Sequence, residues 1–108
     1  MKKKKIFKTY EERIAYLDMM AENDANPPQR CTRYEFVNAL KQFDMALYAR
    51  LFGAYQQSME LQFMWNTVND LDRRNEDFIS MTQQLSIDGE TLDELFRVVG
   101  RHRIDAKF

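Results

Sequence analysis

The residues that could do chemistry are few. The chain has 108 residues and contains one histidine, His102, and one cysteine, Cys31. A zinc site needs several Cys or His ligands, and a nucleophilic Ser or Cys needs a base beside it. Cys31 precedes a predicted helix start and lies between Arg30 and Arg33, which favours a thiolate, but no base is evident near it. We therefore predict no catalytic residue, no metal ligand, no cofactor and no enzymatic activity.

Acidic side chains gather in the second half of the chain, where they could in principle bind a hard cation. A calcium loop needs alternating Asp or Asn ligands, a central Gly and a closing Glu, and the segment from Asp70 to Asp77 lacks that spacing. We interpret these residues as helix caps and a solvated face. A second hypothesis is a surface that mimics nucleic acid. The acidic-face candidates are Asp70, Asp72, Glu76, Asp77, Glu90, Asp93 and Glu94.

The formal net charge is −1, but the charges are unevenly distributed. Residues 1–8 contain five Lys and no acid, whereas residues 9–100 contain eight basic and sixteen acidic side chains. An acidic body repels phosphate backbones, and short basic tails bind them weakly and in a salt-dependent way. Nucleic acid is therefore a disfavoured partner. The basic-tail candidates are Lys2, Lys3, Lys4, Lys5, Arg101 and Arg103.

Helix-start signals occur at five places in the chain. Thr9–Glu12 and Thr32–Glu35 have the pattern of a capping box, in which the Thr side chain and the Glu side chain each accept a backbone N–H. Asp44, Asn75 and Asp88 are predicted as further N-caps. Three Gly and two Pro are few for an all-β chain, which needs many tight turns. The sequence predicts an all-α fold, a compact bundle of five to six short helices with a basic N-terminal tail.

The first predicted helix precedes the clearest break in the chain, the pair Pro27-Pro28, which forbids its continuation. The spacing of its apolar positions predicts one apolar helical face, formed by Tyr10, Ile14, Leu17 and Ala21. The hinge leaves open whether this helix packs on the body or forms a separately attached arm. The predicted divisions are a basic tail at 1–8, this helix at 9–26, a helical core domain at 32–100 and a basic C-terminal tail at 101–108.

The middle of the chain carries an excess of apolar residues. Between Gln42 and Met59 the only charged residues are Asp44 and Arg50, and a helix that is apolar nearly all round is buried in the fold or in an oligomer. A cleaner amphipathic stripe predicts the next helix over 61–71. A domain of this size struggles to bury so many apolar side chains, and leftover patches usually mark interfaces. The protein-interface candidates are Met45, Tyr48, Phe52, Tyr55, Met59 and Phe63.

The segment Phe78–Val99 has the spacing of a helix-turn-helix, with Gly100 suited to cap the second helix at its C-terminus. A helix that reads bases presents Arg, Asn or Gln near its start, whereas this one presents acids such as Glu90 and Glu94. A plain helical hairpin explains the pattern better. A DNA-binding regulator remains a third hypothesis.

Three segments also carry a resemblance: Met64-Trp65, then Leu71–Asn75 (Leu-Asp-Arg-Arg-Asn), then Leu85–Phe96 (Leu-Ser-Ile-Asp-Gly-Glu-Thr-Leu-Asp-Glu-Leu-Phe). With Thr32, Phe36, Ala39 and Leu40 upstream, they resemble small, mostly uncharacterised helical proteins encoded near tail and tail-fibre genes of tailed bacteriophages and prophages. The resemblance covers about Thr32 to Phe96 and implies a shared helical fold and a phage genome.

The matched positions of this resemblance are mainly helix caps and core anchors, so it carries over no catalytic or ligand residue. Arg74, Glu76 and Ser86 depart from it, since they stand where the family has Asp, Pro and Gly.

These observations predict a non-catalytic phage protein-binding module, a virion-associated or tail-module adaptor that binds a phage structural protein or itself. The alternative is a phage accessory inhibitor that binds a host defence protein or host enzyme through its acidic surface. We expect no membrane span and no small-molecule substrate. A lone cysteine and the absence of a signal-peptide apolar region predict the bacterial host cytoplasm as the location, with incorporation into the virion as the exception.

Overall fold

The structure, a computed structural model, describes residues 6–108. The elements follow in the order α1 (Tyr10–Ala25), β1 (Arg30–Thr32), α2 (Arg33–Phe43), α3 (Met45–Gln57), α4 (Met59–Thr67), β2 (Asp70–Asp72), α5 (Glu76–Gln84) and α6 (Gly89–Lys107). The predicted all-α bundle of five to six helices is confirmed. No helix in the described residues is long and apolar enough to cross a membrane. The predicted basic residues Lys2–Lys5 lie outside the described residues.

Side-chain caps determine where the helices begin. Thr32 and Glu35 form the complete capping box: the Thr32 hydroxyl accepts the Glu35 N–H at 3.1 Å, and the Glu35 carboxylate accepts the Thr32 N–H at 3.0 Å. Thr9 accepts the Glu12 N–H at 3.0 Å. The remaining caps are Asp44, Ser58, Asn75 and Asp88. The five predicted N-caps are confirmed, and Ser58 is an additional cap that separates α3 from α4.

A short antiparallel ladder, which the sequence did not predict, ties the start of α2 to the segment after α4. Cys31 of β1 pairs with Leu71 of β2, and both side chains are buried. The predicted helix over 61–71 is therefore wrong in its last part, because α4 ends at Thr67. The Thr67 hydroxyl donates back to the Phe63 carbonyl at 2.7 Å, a local bond that competes with helix propagation. Three-residue strands are too short to show an alternating pattern in sequence.

The core forms where α2, α5 and α6 meet. Phe36, Phe78 and Phe96 are buried and form a triangle of rings with centroid separations of 5.7 Å, 6.2 Å and 6.3 Å. Edge-to-face geometry between Phe78 and each of the other two rings is the arrangement that aromatic quadrupoles favour. Trp65 of α4 reaches Phe36 at 6.5 Å, so α4 joins the same cluster from the side.

Helix α1 lies against α6 and is not a separately attached arm. The buried Asn23 side chain donates to the Arg97 carbonyl at 2.9 Å, and the Tyr16 hydroxyl donates to Asp105 at 2.8 Å. The predicted apolar face of α1, formed by Tyr10, Ile14, Leu17 and Ala21, is exposed and does not pack on the body. The opposite side of the helix packs through Asn23 and Tyr16, including a ring contact between Tyr16 and Phe108 at 5.5 Å, which the apolar pattern does not reveal.

The predicted C-terminal tail is also wrong, because α6 continues through Gly100 to Lys107. Arg101 and Arg103, predicted as free basic residues, form ion pairs with Asp24 of α1 and Glu35 of α2. These contacts hold the last turns of α6 against two other helices. Gly100 is a buried position within the helix and not its cap.

The reason for glycine at position 100 is the close approach of α1. A Cβ added there would lie 1.6 Å from the Asn23 Oδ1 and 2.5 Å from its Cγ. We therefore expect Gly100→Ala to lower the free energy of unfolding by about 2 kcal/mol, the usual scale of overpacking, because Asn23 must leave its bond to the Arg97 carbonyl. Urea unfolding followed by circular dichroism measures the change.

Gly53→Ala is the matched control, because Gly53 lies inside α3 and an added Cβ there meets no atom within 4 Å. It should raise the free energy of unfolding by about 0.5–1 kcal/mol through better helix propensity. A Gly100→Ala protein as stable as the Gly53→Ala protein would contradict the close approach of α1 and α6.

Candidate functional site

An open groove with a volume of about 520 Å³ lies between α4 and α5. Leu61 and Met81 form its buried floor together with the half-buried Met64. Met59 and Phe63 line the same groove, yet their exposed fractions are 86% and 73%. Large apolar side chains that stand in water beside an apolar cavity are unusual in a monomer and are typical of interfaces.

The local sequence places these side chains on one rim. Ser58 caps α4 by accepting the Leu61 N–H at 3.1 Å, so the helix begins at Met59. Met59 and Phe63 are four residues apart and share one side of α4, whereas Leu61 points into the core. Asn75 caps α5, which forms the opposite wall of the groove.

Among residues 6–108, the charged side chains that line the groove are both negative. They are Glu60 and Asp77, and no Lys or Arg of that range lines it. No ion pair involves either carboxylate within the described residues. The other polar lining residues are Thr67, Ser80 and Gln84, which are uncharged.

The four interface candidates of α3 do not line this groove. Met45 and Phe52 are exposed, and the Phe52 ring stacks on the half-buried Tyr48 at 6.3 Å. The Tyr55 carbonyl accepts from Gln62 at 2.7 Å, which fixes the angle between α3 and α4. Within the fold this helix is not buried all round, since its buried residues are Leu47 and Leu51.

Among the six interface candidates, the structure therefore brings Met59 and Phe63 together at one groove. Sequence reasoning missed the floor of that groove, since Leu61, Met64 and Met81 looked like ordinary core positions. The available signal was the pair of apolar residues spaced four apart on α4, directly after the Ser58 cap.

The acidic-face candidates do not form a continuous negative surface. Arginines pair with Asp70, Asp72, Asp93 and Glu94, and the partners are Arg30, Arg74, Arg73 and Arg97. The three remaining candidates, Glu76, Asp77 and Glu90, form no ion pair in the part of the chain that the structure describes. Four of the seven charges are thus locally balanced.

The thiol and the imidazole are not arranged for chemistry. Burial and the nearby Glu35 carboxylate raise the pKa of Cys31 to about 12, so the expected preference for a thiolate is wrong. His102 lies within α6, where its Nε2 is 2.8 Å from the Gln42 amide oxygen. Within residues 6–108, no group of three or more His, Cys, Asp or Glu side chains is placed to hold a metal ion.

The turn between α5 and α6 is tight. Ser86 adopts a φ of 57°, in the left-handed region that favours glycine. Asp88 then caps α6 by accepting the Thr91 N–H at 2.8 Å, and Glu90 lies in the first turn. The hairpin therefore presents carboxylates where a DNA-reading helix would present donors to base edges.

No protein-family model, curated protein or solved structure matches this chain.

A bidentate ion pair joins α2 to α6. The Arg103 guanidinium donates two hydrogen bonds to the Glu35 carboxylate, at 2.6 Å and 2.9 Å. These bonds, with those from Thr32, lower the pKa of Glu35 to about 2. Because this folded-state pKa lies below the ordinary value of 4.5, the contact stabilises the fold above about pH 4.5 and is lost as the pH falls toward 2.

We expect Glu35→Gln to lower the free energy of unfolding at pH 7 by about 1 kcal/mol, a modest value because solvent screens the exposed Arg103 side chain. Gln can still complete the capping box, so the helix start is preserved. The difference from the unsubstituted protein should shrink as the pH falls from 4.5 to 2.5. Urea unfolding across that pH range measures it.

Glu60→Gln is the control for this comparison, since Glu60 is exposed and forms no ion pair within the described residues. A Glu35→Gln deficit that stays constant between pH 7 and pH 2.5 would contradict the assigned role of the Arg103 contact.

Proposed function

We propose that this protein is a non-catalytic, phage-encoded protein-binding module, a virion-associated or tail-module adaptor whose binding site is the α4–α5 groove. The observation that carries the proposal is the exposure of Met59 and Phe63 beside an apolar cavity of about 520 Å³. Burying these two side chains against a partner would remove a large apolar area from water, which is the main favourable term in protein association.

The chemistry of the groove indicates its partner. Leu61, Met64 and Met81 provide an apolar floor, and methionine adapts its shape readily to an incoming side chain. Glu60 and Asp77 make the edge negative. The partner segment is therefore apolar with flanking Lys or Arg, since such charges steer association and fix its register.

The phage setting rests on the resemblance of the segments from Thr32 to Phe96. The conformation of Ser86 supports that resemblance, because the family has glycine at this position and the φ of 57° is one that glycine adopts without strain. The departure at Ser86 is thus a replacement within the same turn.

The alternative functions are less well supported. A nucleic-acid mimic needs a strong field of one sign, and arginines balance Asp70, Asp72, Asp93 and Glu94. A DNA-binding regulator needs donors at the start of α6, where Glu90 lies. Neither observation favours a second function over protein binding.

The proposal predicts that Phe63→Glu abolishes partner binding and leaves the fold intact. The exposed Phe63 side chain makes little contribution to the core, so the unfolding midpoint should change little. Affinity purification of the tagged protein from cells that carry the gene in its native context, followed by mass spectrometry, should recover phage tail or fibre proteins. The same purification with Phe63→Glu should lose them.

Tyr34→Glu is the matched control, because Tyr34 is an exposed aromatic residue on α2 and does not line the groove. It should retain the partner. Recovery of a host nuclease, polymerase subunit or defence complex in place of tail proteins would contradict the adaptor function and favour the inhibitor. Equal recovery by the Phe63 and Tyr34 variants would contradict the groove as the binding site.

A further inference from the structure

Helix α1 has two opposite faces, one that packs on α6 and one that is exposed. One face lies on α6, where Tyr16 and Asn23 make their hydrogen bonds. The opposite face carries Tyr10, Ile14 and Leu17, whose exposed fractions are 72%, 37% and 48%. This outer face is apolar, and at least 37% of each of these three residues is exposed. It lies on a different helix from those that form the α4–α5 groove.

The outer face has the spacing of a coiled-coil seam. Successive steps of four, three and four residues separate its members, so they alternate between the two core positions of a heptad. The seam consists of Tyr10, Ile14, Leu17 and Ala21. A seam of this kind is completed by a second helix with the same spacing, whose side chains fill the holes between these four.

We infer that α1 pairs in parallel with α1 of a second copy of this chain. The charges beside the seam support a second copy as the occupant. Arg13 flanks it on one side and Asp18 on the other, and neither forms an ion pair within the described residues. In a parallel pair, Arg13 of each copy lies beside Asp18 of the other, which gives two attractive contacts related by twofold symmetry.

The same charges disfavour an antiparallel pair. Reversing one helix while keeping the seam in contact places Glu11 of one copy beside Asp18 of the other. Two such repulsive contacts form, one on each side of the twofold axis, and both attractive Arg13 contacts are lost. Flanking charges of this kind set the orientation of paired helices.

The structure also sets the length of the seam. The next seam position after Ala21 is Asp24, whose carboxylate is bound to Arg101 of α6 at 3.1 Å. At the other end, the Phe7 ring turns back to pack on Tyr16 at 5.0 Å and is not part of the seam. The contact therefore spans slightly less than two heptads and gives a weak, reversible dimer. Since α6 already holds α1 helical, pairing requires no folding of α1.

The inference is independent of the proposed function, because it concerns a different surface. Its test is sedimentation equilibrium of the full chain at low ionic strength, where exposed charges are least screened. The unsubstituted protein should dimerise reversibly. Arg13→Asp and Asp18→Arg should each raise the dimer dissociation constant by roughly tenfold, since two attractive contacts become repulsive. An equimolar mixture of the two variants should dimerise as well as the unsubstituted protein. In the mixed dimer, each of the four charged side chains at positions 13 and 18 lies beside one of opposite sign.

Ile14→Glu should abolish dimerisation, whereas Ala15→Glu should not, because Ala15 is exposed on the same helix outside the seam. Circular dichroism of each variant confirms that α1 remains folded. A protein that is monomeric at all concentrations would overturn the inference. Tighter dimerisation of Asp18→Arg would also overturn it, because that is the result that an antiparallel pair gives. Equal loss of dimerisation with Ile14→Glu and Ala15→Glu would overturn it as well.

Discussion

The contact between Phe36 of α2 and Phe96 of α6 is the interaction on which the rest of the structure depends. Both rings are fully buried, and Phe78 of α5 closes the triangle. Losing a buried Phe side chain costs about 3–5 kcal/mol, a large share of the 5–15 kcal/mol that stabilises a typical domain. The α4–α5 groove and the outer face of α1 both depend on helices that this triangle holds in place. Phe78 fixes the helix that walls the groove, and Phe96 fixes the helix that carries α1.

Local chemistry explains which parts of the fold could be predicted from the sequence. A cap is a bond between a side chain and a backbone N–H two or three residues away, so Thr32 with Glu35, or Asp88 with Thr91, can be recognised without knowing the fold. The end of α6 is different. It depends on Arg103 meeting Glu35 of α2, a partner far away in the chain, and on Gly100 admitting α1. Gly100 was therefore interpreted as a helix C-cap, although it lies inside α6 at the contact with α1. The β1–β2 ladder is likewise non-local and too short to leave a pattern.

The same distinction between local and non-local determinants applies to the α4–α5 groove and to the outer face of α1. The interface candidates Met59 and Phe63 could be named because an excess of apolar residues is visible in composition, but their common groove depends on α5, which approaches from another part of the chain. Periodicity identified the apolar stripe of α1, but it does not show whether the most apolar face of a helix points toward the core. In this helix the core-facing side is held by Asn23 and Tyr16, so the apolar face is left outside. The inferred pairing of α1 depends on both features, the attachment through Asn23 and Tyr16 and the apolar outer face.

The most direct test of the central claim, that the α4–α5 groove binds a partner protein, is site-specific photo-crosslinking. A photoreactive phenylalanine analogue replaces Phe63 at the groove rim or, as the control, the exposed Tyr34 on α2. Cells that carry the gene in its native context are irradiated, and crosslinked products are identified by mass spectrometry. We predict one discrete adduct with another protein from position 63 and none with that protein from position 34. No adduct from position 63, or the same adducts from both positions, would contradict it.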